Sequence, residues 1–422
     1  MERKIYEEYV KILKEELIPA MGCTEPIAVA YGAALAAEAL GTLPEKMEVG
    51  VSANIIKNVK SVVVPCTGGL RGIEAAVCAG IMSGRPDKEL ELLTEITQEQ
   101  KALIKKMTEQ MSIHVRETDS GCIFDIQITA RAGEHSGFAR IAGSHTNVVL
   151  LKHDEEILLE KEFEVQTEEC ETDRSLLNVE QIVEFADCVE LSDVEEVLER
   201  QIAMNTAIAE EGIIGGWGAG IGRIMLDAYG NNVHTRAKAM AAAGSDARMS
   251  GCELPVVINS GSGNQGMTAS LPVIVYAREE EASKEMLLRS LVVSNLVTIH
   301  LKTGIGRLSA YCGAVSAGCG AGAGICYLHG GKSYEISHTI VNAAAIDSGI
   351  ICDGAKPSCA AKIASAVEAG LLAVEMQKKG SQFYAGEGIV KKGVENTIRN
   401  VGELAKEGMR ETDKTIIRMM IR

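Results

Sequence analysis

The sequence predicts an α+β protein: a mainly helical catalytic domain carrying an inserted, strand-rich α/β domain. Three observations point there. Apolar residues recur at helical spacing at the start of the chain and through most of its second half. Between residues 45 and 165 the pattern changes to β-branched and alternating runs. At 422 residues the chain exceeds one ordinary core, so two units are expected. Residues 1–44 with 166–422 would form the helical unit, and residues 45–165 the inserted one.

Ile5, Tyr9, Ile12, Leu13 and Leu17 predict an amphipathic helix over 3–18, ended by Pro19. Thr24 is the expected N-cap of a second helix, with Pro26 in its first turn and the Ala-rich run 27–40 as its body. Val49, Val51 and the run from Val59 to Val64 favour strands. So do 112–118, 122–130, 137–142 and 146–163, together suggesting an antiparallel sheet. The acidic stretch Glu164–Glu171 reads as a linker. Helices are expected at 176–211, 283–301, 359–378 and 391–421, interrupted by one strand-like run, Pro255–Ser260.

Composition excludes several classes. Apolar residues at 46% and charged residues at 24% describe a soluble globular chain and not a disordered one. Lys and Arg number 42 against 58 Asp and Glu, a net charge of −16, so no nucleic-acid partner is expected. The opening MERKIYEEYVKIL lacks the apolar centre of a signal peptide, which makes the cytoplasm the expected compartment. Twelve cysteines are then reduced thiols: core residues, metal ligands or catalytic groups. The stretch Leu308–Gly331 carries no Asp, Glu, Lys or Arg and could span a bilayer by length. Its seven glycines point to close packing inside the protein, not to a membrane.

No C-x-x-C occurs, so zinc ribbons and thioredoxin-type motifs lack support. Two sets of C-terminal thiols compete as iron–sulfur or zinc ligands. Cys312, Cys319 and Cys326 recur every seven residues on one helix face. Strung along ~20 Å of helix they cannot all reach one small cluster. Cys319 and Cys326 therefore read as small buried hydrophobes. Cys352 and Cys359 bracket a six-residue loop that can wrap, with Cys359 where Pro357 begins a helix that would favour its thiolate. On spacing alone, buried free thiols remain the simpler reading. Cys23 also precedes a helix N-terminus and could be thiolate. Asn259–Gly266 contains a formal G-x-G-x-x-G, but Pro272 and the run Val273–Val275 argue against the helix a dinucleotide site needs next. An ordinary turn, or a polar loop offering N–H groups to a carboxylate, fits better. In Gly143–Asn147, small polar groups flank His145, the most plausible imidazole for acid–base work. Ser245–Arg248 reads equally as an ion pair or a substrate clamp.

These same segments carry a resemblance. Met21–Pro26, Gly143–Asn147, Ser245–Met249, Asn259–Gly266, Arg307–Cys312 and Ile351–Ala355 resemble the L-cysteine desulfidase family, also called UPF0597. That family is similar to the α, catalytic part of iron–sulfur L-serine dehydratases, and the match runs essentially end to end. The resemblance implies a 4Fe-4S cluster and cleavage of L-cysteine to hydrogen sulfide, ammonia and pyruvate without pyridoxal phosphate. It implies Cys312, Cys352 and Cys359 as ligands, leaving one iron open, and Cys23 as catalytic base or alternative ligand. His145 is the next candidate base. Asn259, Ser260, Ser262 and Asn264, with Ser144, Thr146 and Asn147, would orient the carboxylate and ammonium of an amino-acid substrate. For Cys23 to reach the cluster, the N-terminal helices must pack with the C-terminal half. An iron–sulfur L-serine dehydratase is the alternative activity, and a non-catalytic amino-acid or iron–sulfur sensor the alternative class. The expected partner is a small amino acid, and a homodimer is the expected assembly.

Overall fold

A computed structural model describes residues 1–163, 172–306 and 309–421. The expected linker at 164–171, and Arg307 and Leu308 of one motif, lie outside the described residues.

Helix α1 (Arg3–Glu16) buries the stripe Tyr9, Ile12 and Leu13, as its spacing requires. Tyr6 and Tyr9 each meet the ring of Phe185 edge-on at 5.4 Å, tying α1 to the helical half. A three-residue strand, β1 (Pro19–Met21), follows. Helix α2 (Thr24–Leu40) is capped by Cys23, not by Thr24. Cys23 has the extended backbone of a cap, while the Thr24 hydroxyl donates across the fold to the Gly261 carbonyl at 2.9 Å. Gly41 ends the helix in the left-handed conformation.

The strand-rich unit opens with β2 (Lys46–Val51). The run from Val59 to Val64 is not a strand. Helix α3 (Ala53–Val59) ends there, and Val62–Val64 form a buried turn with one isolated bridge, Val63 to Arg71. Their β-branched side chains serve burial, which a loop provides as well as a sheet does. Two helices not assigned from the sequence come next: α4 (Gly72–Ser83) and α5 (Gln98–Gln110), the latter opened by a Thr97–Gln100 capping box. Strands β3 (Ser112–Glu117), β4 (Asp125–Ala132), β5 (His135–Ala142), β6 (Val148–His153) and β7 (Glu156–Glu160) complete a six-stranded sheet in the order β3-β2-β4-β5-β6-β7. It is mixed rather than purely antiparallel, because β2 and β3 run parallel. Parallel neighbours need a long crossover, and α3 to α5 provide it. Helix α2 lies on one face of the sheet, with Gly32 against Ile126, Ile128 and Ile141.

The helix expected over 176–211 is two helices, α6 (Val179–Cys188) and α7 (Glu195–Ile214). Then come α8 (Ile221–Tyr229), α9 (Val233–Met249) and β8 (Pro255–Val257), which pairs antiparallel with β1. The expectation against a helix after the Gly-rich loop is overturned. Helix α10 (Gly263–Glu279) runs straight through Pro272 and Val273–Val275. Those residues are buried, and tertiary packing outweighs their poor helix propensity. The order continues with α11 (Lys284–Ile305), α12 (Gly313–Leu328), α13 (Ser333–Asp347) and α14 (Cys359–Lys378). The helix expected over 391–421 is α15 (Val394–Glu403), a π turn, and α16 (Arg410–Ile421).

The charge-free stretch becomes α12, buried from Ala314 to Leu328. It touches α14 backbone to backbone. A Cβ on Gly318 would stand 2.2 Å from the Ala366 carbonyl, and one on Gly370 2.3 Å from the Gly318 carbonyl. Among the described residues no helix is long and apolar enough to cross a membrane.

Candidate functional site

Four helices begin at one cavity of about 110 Å³. Its wall includes Cys23 and Glu25 at the start of α2, Ser260 to Ser262 with Asn264 and Gln265 at the start of α10, Cys312 to Ala314 at the start of α12, and Cys359 at the start of α14. Helix N-termini present unpaired N–H groups and the positive end of the helix dipole. The cavity is thereby suited to anionic groups, whether thiolate or substrate carboxylate.

Cys312 and Cys352 are held together by backbone. The Cys312 amide donates to the Ile350 carbonyl at 3.0 Å, and the Cys352 amide to the Ala310 carbonyl at 2.6 Å. These bonds flank a single antiparallel bridge between Tyr311 and Ile351. The loop 353–358 then wraps, as expected. Lys356 donates to the Asp353 carbonyl at 2.9 Å, Lys362 donates to the Ile351 carbonyl at 2.8 Å, and both lysines pair with the Asp353 carboxylate. The loop delivers Cys359 to the same wall. Cys319 and Cys326 are instead buried along α12.

Burial pushes the Cys312 thiol up to about 12, with Cys352 and Cys359 adding to the rise and Lys362 opposing it. Burial also raises Cys359, and Cys352 again contributes. The thiolate expected at Cys359 from its helix terminus is therefore not favoured in the protein alone, because desolvation outweighs the dipole. The three sulfurs sense one another, yet they do not lie within 4.8 Å of each other as a preset single-ion site would place them.

Cys23 donates its thiol hydrogen to Glu25 Oε2 at 3.2 Å, and Asn58 donates to Glu25 Oε1 at 2.9 Å. Burial alone would raise the Glu25 carboxyl, but the facing His145, the Cys23 thiol and Arg248 outweigh it and hold it below its ordinary value. Cys23 moves the other way: burial and then the Glu25 charge push its thiol well above its ordinary value. The expected Cys23 thiolate is thus reversed. The proton sits on sulfur and the charge on Glu25.

His145 reaches the cavity from the turn between β5 and β6, buried edge-on against Phe124 with ring centroids 4.7 Å apart. Its neighbours Ser144, Thr146 and Asn147 do not line the cavity, and Asn147 closes the turn by donating to the Ala142 carbonyl at 3.1 Å. Ser260, Ser262 and Asn264 do line it. Asn259 does not; its amide donates to Asn295 Oδ1 at 3.0 Å, and it accepts from the Ser260 hydroxyl at 2.9 Å, which steadies the loop from behind. Arg248 faces the cavity and donates to the Gly22 carbonyl at 2.7 Å. Asp246 turns away and accepts from the Ile221 and Ala219 amides.

Sequence reasoning missed Glu25, Lys57, Asn58, Lys302 and Tyr311 as lining residues. Glu25 was within reach, since it sits two residues from Cys23 in the same motif. Lys57 was not: it is buried on α3 and paired at 2.5 Å with Asp413 of α16, more than 350 positions away.

The family model described as serine dehydratase alpha chain matches residues 87–418. A UPF0597 protein of Desulfitobacterium hafniense is 60% identical over 423 residues, covering 100% of this chain and 98% of its own length. A UPF0597 protein of Lachnoclostridium phytofermentans is 49% identical, covering 99% and 100%. One from Treponema denticola is 44% identical, covering 100% and 99%. The chain belongs to the UPF0597 family, related to the serine dehydratase alpha chain.

Proposed function

We propose that this UPF0597 member is a carbon–sulfur lyase, an L-cysteine desulfidase that turns L-cysteine and water into hydrogen sulfide, ammonia and pyruvate. Cys312, Cys352 and Cys359 would hold a 4Fe-4S cluster. The observation that carries the reading is the meeting of these three thiols with Cys23, Glu25 and His145 on one cavity at four helix N-termini. The donor set fits such a group. Cys312 and Cys359 resist ionising beside Cys352 without a cation, and thiolates suit iron–sulfur clusters. When bound, the cluster supplies an open, Lewis-acidic iron for the departing sulfur.

The chain's own residues supply binding and proton transfer. Arg248 and the first-turn N–H groups of α10, with Ser260, Ser262 and Asn264, receive the substrate carboxylate. Cys23 and Glu25 act as one base. Glu25 takes the thiol proton through the existing hydrogen bond, and the Cys23 sulfur then removes the Cα proton. As that proton leaves, the Cβ–S bond breaks and sulfur departs as hydrosulfide. The 2-aminoacrylate left behind tautomerises to an imine, which water hydrolyses to pyruvate and ammonia. The reducing cytoplasm is the compartment in which such thiols persist.

The test is anaerobic reconstitution with iron and sulfide, followed by parallel assays on L-cysteine and L-serine. Equal amounts of sulfide and pyruvate from L-cysteine are expected, with a higher kcat/KM than for L-serine. Pyruvate from L-serine alone would instead establish the dehydratase reading, which the description of the matching family model favours.

A further inference from the structure

At the ends of β5 and β6 opposite the turn that carries His145, His135 opens β5, His153 ends β6 and Asp154 begins the turn after it. One ligand atom of each lies within 4.8 Å of the other two, the only such trio of His, Cys, Asp or Glu among the described residues. His135 Nδ1 stands 2.8 Å from Asp154 Oδ2, and His153 Nε2 stands 3.6 Å from the same oxygen. The two rings stack with centroids 6.1 Å apart and 17° between their planes.

The arrangement is held from behind. His153 Nδ1 lies 2.7 Å from the Ala39 carbonyl in the last turn of α2. A carbonyl only accepts, so Nδ1 carries the hydrogen and Nε2 of the neutral ring keeps its lone pair, facing Asp154. Asp154 Oδ1 accepts from the Ser136 amide at 2.6 Å, which leaves Oδ2 to the two rings. A lone pair on His153 and a carboxylate oxygen therefore face each other, and a cation between them relieves the repulsion. The carbonyl end of α2 adds negative potential at this spot. Gly137, paired with His153 across the strands, lets α2 come this close: a Cβ there would stand 2.1 Å from the Ala36 carbonyl.

We infer that His135, His153 and Asp154 form a binding site for a borderline divalent transition-metal ion such as zinc, cobalt or nickel. Two imidazoles and one carboxylate suit these ions, whereas magnesium and calcium prefer oxygen ligands alone. The Ala39 carbonyl behind His153 is the kind of outer partner that orients a metal-bound imidazole. His135 frees Nδ1 by moving its hydrogen to Nε2, so a neutral ring releases no net proton on binding. Water completes the coordination of this exposed site.

Metal-free, full-length protein titrated anaerobically with cobalt provides the test. Cobalt on the cavity thiols gives intense sulfur-to-metal charge transfer, whereas cobalt on two imidazoles and a carboxylate gives only weak visible bands. Both classes can be read in one sample. One equivalent without charge transfer is expected. It should weaken by more than about tenfold in His135→Ala and in His153→Ala, with the thiol-bound class unchanged. Zinc should raise the Tm of the wild type by more than that of the double variant, which keeps only the thiol-bound ion, because an ion that binds only the folded state stabilises it. The same number of nitrogen- and oxygen-bound ions in the double variant, or no such class at millimolar cobalt, overturns the assignment.

Discussion

The Cys23 thiol donates to the Glu25 carboxylate across 3.2 Å at the start of α2, so one proton and one negative charge are shared by two residues of a single helical turn. Neither group alone has the protonation state a base needs. The thiol is held protonated and the carboxylate is weakly basic. The pair can act where the separate groups do not.

Replacing Cys23 by Ser should keep iron in the reconstituted protein and lower turnover by about 10²–10⁴-fold, the usual worth of a general base. Exchange of the substrate Cα proton with solvent deuterium should stop as well. Iron loss in this variant would make Cys23 a ligand and pass the base role to His145.

Glu25→Gln removes the charge that helps hold the Cys23 thiol protonated. The thiol should then ionise at lower pH than in the wild type, though burial still holds it high. The rate of alkylation at Cys23 against pH, followed by mass spectrometry, gives the midpoint. An unchanged or higher midpoint contradicts the coupling.

Cys312→Ser and Cys352→Ser should each abolish the cluster absorbance after reconstitution while far-ultraviolet circular dichroism stays unchanged. Cys319→Ala, inside α12, should keep the absorbance. If Cys319→Ala is the variant that loses it, the heptad-spaced thiols hold the iron.

Gly318→Ala inserts a methyl group where α12 and α14 touch, 2.2 Å from the Ala366 carbonyl. Overpacking of this kind costs about 1–3 kcal/mol. Urea unfolding should show that loss. Iron retention should fall too, because the two helices carry Cys312 and Cys359 at their starts.

Asp347 ends α13 with Oδ2 buried and without a hydrogen-bond partner among the described residues, and burial pushes its carboxyl up to about 6. A carboxyl with a raised folded-state pKa binds more protons folded than unfolded. Its contribution to stability is therefore present below the ordinary carboxylate range and is lost as pH rises through about 6. Asp347→Asn should be more stable than the wild type at pH 7, with the gap closing toward pH 4. Urea midpoints at several pH values give the comparison, and parallel profiles would refute it.

Local pattern was enough for part of this molecule. The stripe Tyr9, Ile12 and Leu13 specified α1, because an amphipathic spacing has only one way to face a core. Alternation located β4 to β6, and the uncharged Gly-rich stretch was rightly read as closely packed. Cys23 and Cys359 could be picked out beside helix starts, and Cys352 with Cys359 around a loop, since caps and turns are written in a few adjacent residues, whereas Cys312 was singled out by the family resemblance.

Tertiary structure decided the rest. The helix through Pro272, the buried turn at Val62–Val64 and the parallel pairing of β2 with β3 each depend on what surrounds a segment, and residue preference is weaker than burial. Cys312 meets Cys352 through a bridge between segments forty residues apart, and Lys57 meets Asp413 across most of the chain. The proton on Cys23 was decided the same way. A helix terminus visible in the sequence favours thiolate, but burial, which only the folded chain brings about, and then the Glu25 charge beside it hold the thiol protonated.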